Sequence, residues 1–135
     1  MKAFKIIAAI ILVLHGLIHL MGTAAYLKLA NVQGLPYKTT VLGGRWDLGE
    51  VGIGIFGVLW AIAAIGFIVV PIAWLMNKNW WRPALVVVTL LSLVLTVLDW
   101  ETAKTGVAVN LVVLAILWLW PMFVAKSREA RPVRG

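Results

Sequence analysis

The stretch IIAAIILVLHGLIHLMGTAAYL, residues 6–27, decides the fold. It runs 22 residues without an acidic or basic (Asp, Glu, Lys, Arg) side chain, and a bilayer core roughly 30 Å thick needs about 20 residues of helix to cross it. Cutting the rest of the chain at its charges leaves three more such stretches, so spans are expected at about 6–27, 51–76, 82–99 and 106–125. No segment alternates polar and apolar residues over about ten positions, as a membrane β-strand would. Composition agrees: 63% of the 135 residues are hydrophobic and 13% charged, where a soluble domain carries about 25% charged residues. The expected fold class is all-α integral membrane, a four-helix antiparallel transmembrane bundle formed as a single domain over 1–135.

Charge sets the expected orientation. With the N and C termini cytoplasmic, Lys2, Lys5, Lys78, Arg82, Lys126, Arg128, Arg131 and Arg134 fall inside, against Lys28, Lys38, Arg45 and Lys104 outside, as the positive-inside rule asks. The reading is a multi-pass protein of the bacterial plasma membrane. Its net charge of +7 then reports topology and contact with anionic lipid, and no nucleic-acid partner is expected. Trp46 and Trp100 fall at one boundary and Trp74, Trp80, Trp81, Trp118 and Trp120 toward the other, as interfacial belts require, which leaves Trp60 for packing near mid-span. With no Cys in the chain, disulfides, Fe–S clusters and thiol redox chemistry are excluded.

The connections at 77–82 and 100–104 are short and make helices 2, 3 and 4 antiparallel neighbours. The outer loop 28–50 is long and contains Gly34, Pro36, Gly43 and Gly44, so it reads either as a cap or partner-contacting segment or as a plain connector. A basic tail, 126–135, ends the chain. On helix 2, Gly54, Gly57, Ala61 and Ala64 form a small-residue stripe suited to close packing against another helix, in this chain or a neighbour.

Polar side chains inside such spans are costly and mark the bundle interior. His15 and His19, four apart, share one face of helix 1, which Thr23 extends by a turn. Helix 3 carries Thr89, Ser92, Thr96 and Asp99 in one stripe, helix 4 brings Asn110, and Glu50 stands at the mouth of helix 2. Candidate ligand or metal residues are therefore His15, His19, Thr23, Glu50, Thr96, Asp99 and Asn110. The histidines can be neutral and tied across the bundle, with His19 expected to bond Asn110, Thr96 or Asp99 while Leu20 faces lipid. His-x3-His on one face would also suit Zn or Cu, with Asp99 or Glu50 completing the sphere. A bis-His haem would need one histidine from each of two protomers. The remaining reading is a pocket for a quinone, lipid or other small hydrophobic ligand. No cofactor is required by the sequence, and no catalytic set, P-loop or paired intramembrane carboxylate is visible.

The segment His15-Gly16-Leu17-Ile18-His19-Leu20-Met21-Gly22, followed by Trp100-Glu101-Thr102-Ala103-Lys104-Thr105-Gly106 and Asn110, resembles a group of small bacterial four-helix membrane proteins. Their pattern is HGLIHLxG in helix 1 and W-x-x-AK-x-GT-x-x-N entering helix 4. The resemblance covers nearly the whole chain, including Trp80-Trp81 before helix 3, and departs at Val107, where the group has Thr. It implies the fold and brings no activity with it. Small multidrug exporters share the size, but they depend on a carboxylate in helix 1, which this chain lacks.

Two roles follow as expectations. One is a non-enzymatic structural or accessory subunit, with the lipid bilayer and other membrane proteins, or a second copy, as partners. The alternative is a membrane protein binding a metal or small hydrophobic ligand in an outward-facing polar pocket. Reporter fusions test the topology: residue 78 should report cytoplasmic and residue 103 exported, and the reverse at either position would overturn it.

Overall fold

A computed structural model describes residues 2–129; residues 130–135 of the basic tail, with Arg131 and Arg134, lie outside the described residues. Four helices build it: α1 (Lys2–Tyr26), α2 (Gly49–Leu75), α3 (Trp81–Leu98) and α4 (Trp100–Glu129). Each is long and apolar enough to cross a membrane. The described part of the expected tail up to Glu129 continues α4 as helix. The short link expected at 100–104 is itself a helical turn, bent at Ala103 where φ is −117° and ψ 22°. Two ends can be named: the loop end, holding the 28–48 connection and the α3–α4 junction, and the tail end, holding the start of α1 and the end of α4.

The helices pack in chain order, α1 on α2, α2 on α3 and α3 on α4, while α1 and α4 barely approach each other. Glycines set the close crossings. A Cβ at Gly16 would stand 2.8 Å from the Cβ of Phe67 and 2.9 Å from the carbonyl of Ala64, and one at Gly22 would enter the Trp60 ring at 2.6 Å. Gly66 makes room for Val88 between α2 and α3, and Gly106 for Thr96 between α3 and α4. Small residues at helix contacts let backbones approach closely and gain dispersion contacts. The helix 2 stripe is largely used inside the chain: Gly57 faces Tyr26 and Leu27, Ala64 is fully buried against α1, Ala61 is half-buried, and only Gly54 has open space beside it.

Residues 28–48 are ordered around a small hairpin that the sequence did not signal. Strands β1 (Thr40–Val41) and β2 (Trp46–Asp47) pair antiparallel, Thr40 opposite Asp47 and Val41 opposite Trp46. Leu42, Gly43 and Gly44 turn the chain at positive φ of 53°, 65° and 78°. The Leu42 N–H donates to the Leu98 carbonyl at 2.8 Å, satisfying one of the carbonyls that a helix C-terminus leaves free. Val41 is fully buried in a core with Tyr26, Ile53, Phe56, Trp60 and Leu95. Asp47 accepts from the Gly49 N–H at 2.9 Å as α2 begins, and that bond holds its carboxyl below the usual carboxylate range.

At the tail end, Pro121 deprives the Leu117 carbonyl of its i+4 donor. Arg82 supplies the missing hydrogen, its guanidinium donating to that carbonyl at 2.7 Å from the start of α3. Trp74 stacks on Trp81 at 4.9 Å and meets Trp120 at 6.5 Å, while Phe4 stacks on Trp120 at 6.0 Å, so aromatic rings close this end of the bundle. Arg82→Ala is expected to cost about 1–2 kcal/mol in the natural chain, the worth of a charge-assisted bond to a buried carbonyl. In a Pro121→Ala background, where residue 121 regains its N–H, thermal unfolding should show most of that cost gone.

Candidate functional site

Four polar side chains from three helices form one closed chain of hydrogen bonds in the bundle interior. The His19 Nδ1–H donates to the carbonyl of His15 one turn earlier, at 2.9 Å. That bond leaves His19 Nε2 as the acceptor, and the Ser92 hydroxyl of α3 donates to it at 2.7 Å. Asn110 of α4 donates from Nδ2 to the Ser92 oxygen at 2.8 Å and to the Thr96 oxygen at 3.2 Å. Its Oδ1 accepts from His15 Nε2 at 3.3 Å, which returns the chain to α1. Every donor meets an acceptor, running in one direction round the ring. His15, His19, Ser92, Thr96 and Asn110 are all buried, and the Phe67 and Trp60 rings pack against the imidazoles at 4.8 to 5.4 Å.

The expected partners of His19 need correction on this point. It bonds Ser92, and Asn110 goes to His15 instead. The cause is the register between α1 and α3, which run parallel across the bundle centre. Tyr26, seven residues beyond His19, donates its hydroxyl to Asp99, seven residues beyond Ser92. Two bonds one heptad apart on each helix fix α1 against α3, and Asp99 is then out of reach of His19. Tyr26 was not singled out from sequence, though the shared spacing of seven was there to find.

Asp99 is 1% exposed and carries a second partner. Lys38 of the loop places Nζ 3.0 Å from its Oδ1 and 3.6 Å from Glu101. A carboxylate at this depth is tolerable only when paired and hydrogen-bonded. The lysine that provides the pairing sits in a segment whose sequence gave no sign of folding inward.

Beside this network lies a cavity of about 350 Å³ opening toward the loop end. His15, His19, Trp60, Thr96, Asp99 and Thr102 contribute to its wall, and Gln33, Gly34 and Leu35 of the loop border it. Trp60 lines it, and its buried Nε1–H has no acceptor among the described residues. Of the candidate residues, His15, His19, Thr96 and Asp99 meet at this wall, while Asn110 and Thr23 stand behind it, Thr23 bonding weakly back to the His19 carbonyl at 3.5 Å. Glu50 is elsewhere, on the surface with its side chain 81% exposed and 3.6 Å from Lys28.

The histidine pair does not present itself to a metal. Both ring nitrogens of His19 are engaged, and no group of three or more His, Asp or Glu side chains converges among the described residues. Comparison with protein-family models, with curated proteins and with solved structures gave no match.

Two stability measurements check the network. His19→Ala strands the Ser92 hydroxyl in an apolar interior and should cost about 1–3 kcal/mol, seen as a clear fall in Tm. Leu20→Ala, on the outward face, should move Tm far less. Lys38→Met removes the cation from Asp99 and should expose 28–48 to limited proteolysis while the four helices stay protected.

Proposed function

We propose that this is a multi-pass membrane protein, inserted with both termini cytoplasmic, that binds a small membrane-soluble ligand through a neutral, hydrogen-bond-accepting head. The cavity at the loop end, with the donor-bearing side chains Gln33, Thr102 and Thr105 in its lining, carries this reading. Its volume lies within the roughly 300–1,000 Å³ of pockets that hold small molecules. The bond ring beside it spends its polar groups on one another, so it serves as a rigid wall and keeps the site preorganised. An anionic head is disfavoured, because Asp99 lines the cavity and Lys38 is already paired with Asp99 and Glu101. A quinone ring, with carbonyl acceptors and no charge, fits this chemistry.

The accessory-subunit reading drew on the small-residue stripe of α2, of which Gly57 and Ala64 pack against α1 within the chain and Gly54 stays open. Positive charge at the tail end supports the orientation, since Lys2, Lys5, Lys78, Arg82 and Lys126 gather there. In this orientation the cavity faces the outer leaflet.

The test is thermal stabilisation of the detergent-purified protein by ubiquinone-1, together with mass spectrometry of what co-purifies. A saturable rise in Tm is expected, and Gln33→Leu, which removes the amide donors of a lining residue, should weaken binding about tenfold, the worth of one hydrogen bond. No shift with ubiquinone-1 and no co-purifying quinone or lipid would overturn the proposal.

A further inference from the structure

A second cavity, of about 500 Å³, follows the seam that α1 and α4 leave open. Its wall is almost wholly apolar, with Ile7, Leu12, Ala108 and Val112 along its length. The aromatic cluster of Phe4, Trp74, Trp81 and Trp120 closes it at the tail end. At the loop end it reaches the polar cavity, and Thr105 and Val109 line both. The two spaces therefore adjoin at Thr105 and Val109, one with a polar lining and the other apolar. Thr105 and Trp120 are about 22 Å apart along α4 at 1.5 Å per residue.

We infer that this seam holds the apolar tail of the ligand whose head occupies the polar cavity, which makes the ligand a quinone with a single alkyl or isoprenoid tail. The inference rests on the head-binding reading above and adds the tail to it. A polar cavity adjoining the seam favours one amphipathic molecule over an ordinary annular lipid, which would meet no polar site. The aromatic cluster at its floor sets a limit on how much tail is enclosed.

Binding of ubiquinone-0, ubiquinone-1 and decylubiquinone to the full chain in detergent tests this, with Ala8→Trp and Ala108→Trp filling the seam and Ile65→Trp, on the exposed face of α2, as the control. In the natural protein decylubiquinone should bind at least about tenfold tighter than ubiquinone-0, since tail burial adds apolar contact. The seam variants should remove that advantage while leaving ubiquinone-0 binding within about twofold, because their wall lies outside the head site. Ile65→Trp should change neither. Equal affinity for all three quinones, or tail preference surviving both seam variants, would overturn the inference while leaving the head site in place. Failure of every quinone to bind would instead overturn the head-binding reading on which it rests. A dimer converted to monomer by Ala108→Trp would also overturn it, by giving the seam to a second copy.

Discussion

The closed ring of bonds through His15, Asn110, Ser92 and His19 is the constraint on which the rest of the structure depends. In an apolar interior no water competes for these groups, so any one left unpaired carries its full desolvation cost. A ring in which each donor has one acceptor admits one register of α1, α3 and α4. Sliding α1 by a turn would strand several groups at once. Individual interhelical bonds in membrane proteins are worth only about 0.6 kcal/mol on average. The ring therefore matters mainly because it makes the alternative registers costly.

Other ties work by the same rule of satisfying a group that the local backbone cannot. Tyr26 and Lys38 attend to Asp99, the Leu42 N–H attends to the end of α3, and Arg82 attends to the carbonyl freed by Pro121. All four donors lie many residues outside the helix they serve. They draw the loop onto the loop end and join α3 to α4 at the tail end, where glycine-mediated packing alone would leave both free to shift.

The open seam has its origin in where the small residues fall. Gly16 and Gly22 of α1 are both turned toward α2, and Gly106 of α4 toward α3. Close approach is thereby spent on the sequential neighbours. Between α1 and α4 stand bulky residues such as Ile11, Leu12, Val112 and Ile116, which keep the backbones apart and leave a cleft that the polar ring spans only at its His15–Asn110 bond and the aromatic cluster at the other end.

How much of this was legible in the chain differs by level. Four apolar stretches separated by charges were readable as four long helices, each of a length and composition able to cross a membrane with its backbone hydrogen bonds met internally. The polar residues interrupting them were bound to turn inward together, and His15, His19, Thr96, Asp99 and Asn110 do so. Which of them bond was not readable, since it depends on the offset between helices distant in sequence, an offset of a single turn here. Glu50 stands at the mouth of α2 as expected, but whether a carboxylate there faces in or out was not readable, and here its side chain is exposed beside Lys28. The inward fold of Lys38, the hairpin at 40–47 and the gap between α1 and α4 belong to tertiary structure alone. Each is the product of contacts between segments that local propensity and hydrophobic pattern leave independent of one another.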